Sequence, residues 1–359
     1  MSEKAAKTSE ELFRDCITMI SPGTKLRAAI SSILQAHTGG LMCFGSPKRL
    51  AELSEGGIQI DAPCTPQLLF ELSKMDGAIL LNSDGTKILF ANRFLKPDSG
   101  LPSNETGTRH RAAERMARQA KCMAIAVSER RSSVTLFVHG RKYQLDNIAT
   151  LLNKASQAIQ TMEKYLSGLN QALIDLTTRE FQDMVTIVDV CKVIQRCEMV
   201  LRIGGEIEPY ILELGEEGRL IELQLNELLM PIEEAQLVVK DYYRDRTKGN
   251  LEAVRGKLAE LDEKELLNLG SISFSLGYGT NIRSVDTYLS PRGYRVLAQT
   301  NRLSEQVIEN LIERYATLQQ IMRAPKEDLV QVDGVGEVLA ERVRVGLNLL
   351  QNQLALSRR

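Results

Sequence analysis

The spacing of apolar residues divides the chain into stretches with different predicted architectures. A helix-like pattern at residues 26–37 is followed by short apolar runs that Gly, Pro, Asn and Asp separate. Short apolar runs bounded by turn residues are typical of β-strands. They occur at residues 40–45, 77–81, 87–91, 122–127 and 133–138. The N-terminal stretch is therefore predicted to be an α/β domain.

The middle of the chain carries a helical pattern. Apolar side chains recur at alternating spacings of four and three residues, as in a helix that packs against another helix. The seam consists of Leu151, Ala155, Ala158, Met162, Tyr165, Leu169, Ala172 and Leu176. Breaks are predicted at Gly204-Gly205, between Gly215 and Gly218, and at Lys248-Gly249-Asn250. We predict a helical spine; a seam of this kind arises more often from packing within one chain than from association between chains.

A final run of short helices is predicted from Ser290 onward. The pattern as a whole therefore predicts three domains, at residues 8–148, 149–289 and 290–359. A chain of 359 residues with 43% apolar and 25% charged residues has the composition of an ordinary globular protein. This composition excludes a wholly disordered chain, a disulfide scaffold and a collagen-like fibre.

Charge and cysteine content restrict the function further. Lys and Arg number 45 against 46 Asp and Glu, so binding to nucleic acid or lipid must depend on local charge. The six cysteines show no C-x-x-C spacing, which predicts reduced, mostly structural thiols in a cytoplasmic protein. The polar start of the chain and the lack of an apolar run of about 18 residues argue against export and membrane insertion.

Two Asp-Gly pairs in the N-terminal domain have different predicted roles. Asp84-Gly85 lies between two apolar runs, which is a strong signal for a β-hairpin. Asp76-Gly77 precedes a predicted strand, where glycine lets a ligand approach the backbone and a carboxylate stands at the strand's edge. A plain turn remains the alternative interpretation of Asp76-Gly77.

A second segment supplies cationic groups. Thr108 is a candidate N-cap for a helix that starts with Arg109, His110 and Arg111. The N-terminus of a helix offers amides to an anion, arginine forks suit phosphate oxygens, and histidine adds a switchable donor. Basic side chains oppose the helix dipole here, a conflict that a bound anion would resolve. The alternative is a solvated basic helix face that includes Arg115, Arg118 and Lys121.

Asp76-Gly77-Ala78 followed by Thr108-Arg109-His110-Arg111 resembles the DGA and RHR motifs of the diadenylate cyclase family. The three-part layout is similar to the DisA branch of that family over nearly the whole chain. The resemblance implies a mixed, twisted β-sheet wrapped by helices, which joins two ATP molecules into cyclic di-AMP and releases two pyrophosphates. It also implies that the reaction depends on Mg²⁺ or Mn²⁺.

The same resemblance implies a role for each motif residue. Asp76 corresponds to the acidic residue that assists the attacking ribose hydroxyl, either directly or as a metal ligand. Gly77 lies where the family's backbone meets the nucleotide, and Leu95 where it contacts the adenosine. The residues that correspond to the triphosphate site are Thr108, Arg109, His110, Arg111, Ala112 and Ser128. Asp76, Arg109, His110 and Arg111 are the predicted catalytic residues.

These residue types suit the implied reaction. Attack of a 3′-hydroxyl on an α-phosphate spreads charge over phosphoryl oxygens, so positioning and cations supply most of the catalysis. A carboxylate can take up the proton of the hydroxyl. A symmetric ring is closed by two such attacks, so two nucleotides must face each other across a two-fold axis. One domain then holds half a site, and the resemblance implies a homo-octamer with cyclase domains face to face.

The C-terminal stretch contains a candidate DNA-binding turn. Gly334, Val335 and Gly336 connect two helical patterns, and the second pattern places Leu339, Val343 and Leu347 on one face. This resembles a helix-hairpin-helix motif, in which a phosphate docks at amides of the turn and of the following helix. Residues 302–322 resemble the degenerate partner half of a RuvA-like domain. The alternative is a plain connection between two packed helices.

Two functions compete on this basis. The first is a cyclase coupled to binding of branched DNA such as Holliday junctions, acting as a DNA-integrity checkpoint; the family implies that junctions suppress synthesis. The second is a branched-DNA-binding scaffold whose nucleotide domain only senses ATP. Asp76 and the Arg109/Arg111 pair favour the cyclase, because sensing alone needs no acid beside the ribose. A G-x-x-x-x-G-K-[ST] loop is absent, and three histidines are too few for a His-rich zinc centre.

Overall fold

The computed structural model describes residues 8–245, 250–281, 288–300 and 303–356, with side chains up to residue 353. Within these ranges the chain forms eight strands and seventeen α-helices. The strands are β1 Gly40–Phe44, β2 Ser54–Glu55, β3 Ile58–Pro63, β4 Ala78–Leu81, β5 Lys87–Leu95, β6 Met123–Ser128, β7 Ser133–Val138 and β8 Arg141–Leu145.

The helices alternate with the strands at first and then follow one another without strands. The first five are α1 Ser9–Ile20, α2 Lys25–Gln35, α3 Pro47–Glu52, α4 Pro66–Ser73 and α5 Thr108–Ala120. The next seven are α6 Ile148–Gln182, α7 Ile187–Leu214, α8 Arg219–Leu229, α9 Ile232–Tyr242, α10 Asn250–Glu260, α11 Glu263–Leu267 and α12 Leu269–Ser275. The last five are α13 Tyr294–Gln299, α14 Glu305–Tyr315, α15 Leu318–Arg323, α16 Lys326–Leu329 and α17 Glu337–Leu356.

The strands form one mixed sheet in the order β2-β5-β4-β1-β6-β7-β8, and β3 also pairs with β5. β1 and β4 are parallel, with Met42 opposite Ile79, and the other pairs are antiparallel. Every residue of β1 and β4 is buried, as expected for central strands covered on both faces. The predicted strands, the predicted first helix and the mixed sheet are confirmed.

Helices cover both faces of the sheet because successive side chains of a strand point to opposite sides. Met42 and Phe44 belong to an apolar cluster with residues of α1, α2 and α4. Leu41 and Cys43 belong to a second apolar cluster with residues of α3 and α5. Helix α5 contributes Ala113, Met116 and Ala117 to that second cluster. The apolar face of α5 thereby fixes the helix whose first turn carries the predicted cationic segment.

The Asp84-Gly85 pair closes the hairpin between β4 and β5, as predicted. The Gly85 N–H donates to the Asn82 carbonyl at 3.1 Å, and the Asn82 N–H donates to the Lys87 carbonyl at 3.1 Å. Gly85 has a φ of 69°, a backbone conformation that L side chains rarely adopt. This pair is therefore structural.

The long helix α6 confirms the predicted start of a helical spine, and five of the eight predicted seam positions are buried, namely Leu151, Ala155, Met162, Leu169 and Leu176. Ile159, Leu166 and Leu173 are buried as well. The neighbouring predicted positions are only half-buried, and these are Ala158, Tyr165 and Ala172. A branched aliphatic side chain gains more from burial than alanine does, and it carries no hydroxyl that needs a partner. The helix therefore turns its aliphatic positions inward.

The predicted break at Gly204-Gly205 is wrong, because α7 continues through both glycines. Gly204 is buried, and Leu225 and Leu229 of α8 pack at this position. That packing offsets the cost of about 1 kcal/mol that a glycine imposes on a helix interior.

The other predicted breaks have different outcomes. The segment Gly215–Gly218 forms a 3₁₀ turn between α7 and α8, as predicted. An additional break occurs at Met230-Pro231, between α8 and α9, because proline lacks the N–H that a helix interior needs. Lys248 and Gly249 lie outside the described residues, and α10 begins at Asn250.

The chain divides into two compact units, one of Met1–Gln157 with Ile207–Leu223 and the other of Ala158–Glu206 with Gln224–Arg359. The first unit contains the sheet. The second unit is helical, and its C-terminal part has an apolar cluster of its own that includes Val296, Leu311, Val343 and Leu347. The division into three domains stays a prediction.

The six cysteines are free thiols, five of them buried and Cys16 half-buried, in agreement with the prediction. Burial raises the pKa of the Cys122 thiol to about 12. In the part of the chain that the structure describes, every helix is too short or too polar to cross a bilayer.

Candidate active site

A cavity of about 580 Å³ lies where α5 begins and β6 ends. Its lining consists of Asp76, residues 105–110 and residues 127–131. The structure thus brings together five of the residues predicted from sequence, which are Asp76, Thr108, Arg109, His110 and Ser128. The other four predicted residues are not part of the lining, and these are Gly77, Leu95, Arg111 and Ala112.

Asp76 lies in the bend between α4 and β4 and is exposed. Its carboxylate has no hydrogen-bond or ion-pair partner among the residues that the structure describes. Gly77 has a φ of 92°, and a Cβ there would lie 2.9 Å from the Arg93 carbonyl oxygen. Gly77 is therefore required by the backbone itself, and the turn that it makes leaves the Asp76 carboxylate free at the edge of the cavity.

Helix α5 begins one residue earlier than predicted. Its N-cap is Gly107, with φ −81° and ψ 140°, and no side chain accepts a hydrogen bond from the first turn. The assignment of Thr108 as N-cap is therefore wrong, because the extended backbone of Gly107 places Thr108 inside the helix. An anion in the cavity would meet amides that no side chain caps.

Arg109 projects into the cavity across Gly39, the residue before β1. A Cβ at Gly39 would lie 1.9 Å from Arg109 Nη1 and 3.3 Å from the Val127 carbonyl oxygen. The guanidinium of Arg109 forms neither a hydrogen bond nor an ion pair within the described ranges. The guanidinium of Arg109 can therefore occupy this position only because Gly39 has no side chain. The role of Gly39 was not predicted from sequence, although the Gly39-Gly40 pair before a predicted strand was an available signal.

We expect Gly39→Ala to weaken ATP binding by about tenfold or more, because hydrogen bonds to charged groups contribute about 1.5–3 kcal/mol. The new methyl group would displace the Arg109 guanidinium, and Gly39 does not have a positive φ that alanine would strain. Calorimetric titration with ATP measures the change. Gly40→Ala is the matched control, since a Cβ there would meet only ordinary contacts at 3.7 Å. Equal losses in the two variants would contradict this role of Gly39.

The loop before α5 is fixed by side chains of the helix itself. Arg115 Nε donates to the Leu101 carbonyl at 2.9 Å, and Arg118 Nη1 donates to the Pro102 carbonyl at 3.0 Å. Both arginines are half-buried, and only Lys121 of the proposed basic face is exposed. The interpretation of these residues as a solvated basic face is therefore wrong for Arg115 and Arg118, which hold the loop in place.

Glu105 lies at the end of this loop, and a lysine of the sheet balances the charge of its carboxylate. Its carboxylate pairs with Lys142 Nζ of β8 at 2.5 Å, and only 12% of its side chain is exposed. Arg111 Nε donates to the Glu105 carbonyl at 3.2 Å. Arg111 thus supports the loop that leads into the cavity.

His110 is half-buried in the lining. Burial lowers the pKa of His110, and the nearby cations Lys142, Arg131 and Arg109 lower it further. The Glu105 carboxylate raises the pKa, with an effect smaller than that of burial but larger than that of each single cation. His110 is therefore neutral at pH 7 in the free protein.

ATP binding is expected to take up a proton at His110. The bound triphosphate adds negative charge and raises the pKa of the imidazole, so uptake should be largest between the lowered pKa of the free protein and the raised pKa of the complex. Calorimetric titrations in buffers of different ionisation enthalpy measure the proton count. His110→Gln should abolish the uptake, and an unchanged proton count in that variant would refute the assignment.

Ser128 and Leu95 each end a strand, but in different surroundings. Ser128 is half-buried in the lining, and its hydroxyl accepts from the Arg131 N–H at 3.4 Å. Leu95 is only 8% exposed and belongs to the apolar cluster beneath α5. Arg130 and Arg131 complete the cationic lining and were missed, although a basic pair directly after a predicted strand was a usable signal.

The residues of the cavity are suited to bind a divalent ion jointly with the phosphates of a nucleotide. Among the described residues no group of three or more His, Cys, Asp and Glu could hold a metal ion alone. Mg²⁺ commonly keeps several waters and is bound by one or two carboxylates together with substrate phosphates. The free carboxylate of Asp76 meets that requirement.

The predicted turn at Gly334, Val335 and Gly336 connects α16 and α17. Gly334 has a φ of 77°, Val335 is 3% exposed, and Gly336 is exposed. The Val335 side chain belongs to the C-terminal apolar cluster, so only the backbone of this residue is available to a ligand. Of the predicted apolar face, Val343 and Leu347 are buried and Leu339 is half-buried.

The upstream partner segment forms α14 and α15, apart from Arg302, which lies outside the described residues. These two helices meet at Ala316, which has a φ of 60°. Alanine thus adopts the left-handed conformation that glycine usually provides in a tight turn. This half has a turn of the same kind without a Gly-x-Gly sequence.

Residues 27–142 match the family described as "DisA bacterial checkpoint controller nucleotide-binding", and residues 145–285 match "DisA bacterial checkpoint controller linker region". The chain is also similar to three proteins called "DNA integrity scanning protein DisA". The protein of Carboxydothermus hydrogenoformans is 46% identical over 93% of this chain and 95% of its own length. That of Bacillus pumilus is 44% identical over 99% of both chains. That of Clostridium kluyveri is 42% identical over 97% of this chain and 98% of its own length.

Proposed function

The chain belongs to the DisA family and is therefore a diadenylate cyclase, which is a kind of nucleotidyltransferase. We propose that it condenses two ATP molecules into cyclic di-AMP and two pyrophosphates. One observation carries the proposal. The Asp76 carboxylate and the Arg109 guanidinium, which have no partner among the described residues, line the same cavity at the start of α5.

The triphosphate is proposed to lie at the first turn of α5. There the uncapped amides and the helix dipole favour an anion, and Arg109, Arg130 and Arg131 line the same space. Arginine forks stabilise charge on the phosphoryl oxygens, and this charge is redistributed in the transition state. Binding at this place aligns the α-phosphate for attack.

Asp76 is proposed to assist the attacking hydroxyl of the ribose. The carboxylate takes up the 3′-hydroxyl proton as the oxygen–phosphorus bond forms and the bond from the α-phosphorus to the β-phosphate oxygen breaks. Pyrophosphate leaves, and a second, equivalent attack closes the ring. Mg²⁺ or Mn²⁺, held by Asp76 and phosphate oxygens, would supply charge neutralisation and make the hydroxyl more acidic.

A second copy of the chain is proposed to complete the site. Two exposed apolar side chains lie near Asp76: Met75 is 40% exposed and Phe94 66%. Phe94 follows Arg93, which pairs with Ala78, so it lies beside the Asp76-Gly77 end of β4. Exposed apolar side chains beside a polar site are typical of a surface that another protein covers. We propose a homo-octamer in which the cyclase domains meet face to face across this surface.

The C-terminal region is proposed to bind branched DNA such as Holliday junctions through a RuvA-like helix-hairpin-helix unit. The left-handed turn at Gly334, the exposed Gly336 and the following 20-residue helix α17 support this proposal. A turn of this form lets backbone amides approach a phosphate closely. Binding would connect DNA integrity to synthesis of the nucleotide in the cytoplasm.

Junction binding is expected to fall as salt rises. With about four phosphate contacts, log affinity should decrease with log salt at a slope of about −3.6. Gly336→Glu should weaken binding and reduce that slope by about 1, because it places a carboxylate where a phosphate docks. A Cβ at Gly336 meets nothing within 4 Å, so the variant should fold.

The matched control for this substitution is Gly256→Glu, at another glycine in open space on α10. Fluorescence anisotropy of a labelled four-way junction measures both variants over a salt series. Affinity that does not depend on salt, or equal weakening by the two substitutions, would contradict phosphate docking at Gly336.

The experiment that tests the proposed reaction is incubation of the pure protein with ATP and Mg²⁺ or Mn²⁺, followed by mass spectrometry of the products. The cyclase predicts cyclic di-AMP and pyrophosphate. ATP binding without product would instead identify a DNA-binding scaffold that senses ATP.

A further inference from the structure

A buried group of charged and polar side chains joins three helices of the second unit. This Arg295 cluster consists of Arg295, Glu180, Glu234, Asp241 and Tyr242. The Arg295 guanidinium pairs with Glu180, and both side chains have no exposed surface. Arg295 Nη1 also contacts Glu234 Oε1 at 3.0 Å, and the Tyr242 hydroxyl donates to Glu180 Oε1 at 2.9 Å. The cluster thus ties α13 to α6 and α9.

Asp241 caps α13 from another helix. Its carboxylate accepts the N–H groups of Gly293 and Tyr294 at 2.7 Å each and that of Arg295 at 3.0 Å. Caps are usually supplied by the residue before the helix, but Gly293 occupies that position and has no side chain. The start of α13 therefore depends on the carboxylate at the end of α9.

The connection is reinforced in the opposite direction. The Arg292 guanidinium donates to the carbonyls of Lys240 and Tyr243 at 2.5 Å each, at the C-terminus of α9. Lys240 Nζ pairs with Glu309 of α14 at 2.5 Å, and the Tyr294 hydroxyl donates to the same carboxylate at 2.8 Å. Asp241 of α9 thus accepts the amides at the start of α13, and Arg292, just before α13, donates to the carbonyls at the end of α9.

Such a cluster needs an explanation beyond stability. A buried ion pair often contributes no more than apolar side chains of similar volume, whereas its directional contacts specify one arrangement of the elements that carry it. Here the arrangement that is specified is that of the C-terminal helices relative to the spine helices α6 and α9.

Helix α6 is continuous from Ile148 to Gln182, and Glu180 lies near its C-terminal end. Helix α6 begins at Ile148, shortly after β8 ends at Leu145. Strand β8 carries Lys142, which neutralises Glu105 in the lining of the cavity. Glu180 therefore belongs to the same continuous helix that follows the strand carrying Lys142.

We propose that the Arg295 cluster is the rigid joint through which DNA bound by the C-terminal helices changes the rate of the cyclase. This inference rests on the proposed function, because it requires both junction binding and synthesis of cyclic di-AMP. The residues of the Arg295 cluster contact neither the DNA nor the nucleotide.

The test replaces the central pair by apolar side chains in the full chain, as Arg295→Met with Glu180→Leu, which leaves no unpaired Arg295–Glu180 charge. A second, milder variant is Asp241→Asn, which has nearly the same shape but is a weaker acceptor for the three amides. The matched control is Arg179→Met, since Arg179 is the neighbour of Glu180 on α6, is exposed, and pairs with Asp189 of α7 outside the cluster.

Three quantities are measured: the rate without DNA, the affinity for a four-way junction, and the ratio of rates with and without saturating junction. Amide hydrogen exchange at residues 293–295 reports the joint itself. We expect both joint variants to keep the basal rate and the junction affinity, to show faster exchange at these amides and to lose the effect of the junction on the rate. The Arg179→Met control should keep all of these properties.

Faster exchange with an unchanged effect of the junction would overturn the proposal, as would unchanged exchange in both joint variants. If the double variant does not fold, Asp241→Asn carries the test alone. A wild-type protein that makes no cyclic di-AMP contradicts the proposed function, whereas one that makes it at the same rate with and without a bound junction contradicts the joint alone.

Discussion

Asp76→Asn is expected to reduce cyclic di-AMP synthesis by about 100-fold or more, the usual contribution of a positioned acid or base. The amide cannot take up the proton of the 3′-hydroxyl, and it is a poor ligand for a divalent ion. Folding should be unaffected, because Asp76 is exposed and has no partner among the described residues. The rate is measured from the product by mass, and folding from the thermal midpoint.

The control for this variant is Asp84→Asn, at the other Asp-Gly pair. Asp84 is exposed in the hairpin between β4 and β5 and is not part of the cavity lining. Its replacement should leave synthesis unchanged. Near-normal synthesis by a pure sample of Asp76→Asn would reject the role assigned to Asp76.

Arg109→Met is expected to reduce synthesis by about 100- to 1,000-fold, as loss of one preorganised donor to a developing oxyanion does in other enzymes. Arg109 has no protein partner within the described residues, so its charge is available to the phosphates. Arg109→Lys should recover only part of the rate, because an ammonium keeps the charge but lacks the fork that binds two oxygens. Rates at saturating ATP and ATP affinities are measured for each variant.

Two comparisons make the Arg109 result specific. Lys121→Met removes an exposed cation from the C-terminal end of the same helix and should leave synthesis unchanged. Gly39→Ala combined with Arg109→Met should be no worse than Arg109→Met alone, because the methyl group acts only through the guanidinium. Additive losses would contradict the dependence of Arg109 on Gly39.

Five of the eight strands could be predicted from sequence because each is a short apolar run bounded by turn residues. The strands β2, β3 and β8 were missed because they are polar and largely exposed. Chain breaks were less predictable. The glycines at 204 and 205 resemble a break locally, but packing of α8 on Gly204 keeps the helix intact. At Met230-Pro231 the proline ends a helix inside a continuous apolar pattern, where periodicity alone favours one long helix.

The candidate site was predictable where two short motifs mark its residues. Asp76 and the segment from Thr108 to His110 line one cavity, while their catalytic roles stay predictions. The Gly39-Gly40 pair before a predicted strand indicated a close approach, but Arg109 could not be identified as its partner, because the two residues are distant in the chain. The pairing of Lys142 with Glu105 was missed for the same reason.

The central claim is that two copies of the chain present their nucleotides head to head, and a crystal structure with 3′-deoxy-ATP tests it most directly. This analogue keeps the triphosphate and lacks the attacking hydroxyl, so it should bind without reacting. The account predicts two cyclase domains related by a two-fold axis, with each 3′-carbon within about 5 Å of the partner nucleotide's α-phosphorus, close to an attack geometry. Cavities that open in opposite directions in the assembly that synthesises cyclic di-AMP would contradict it.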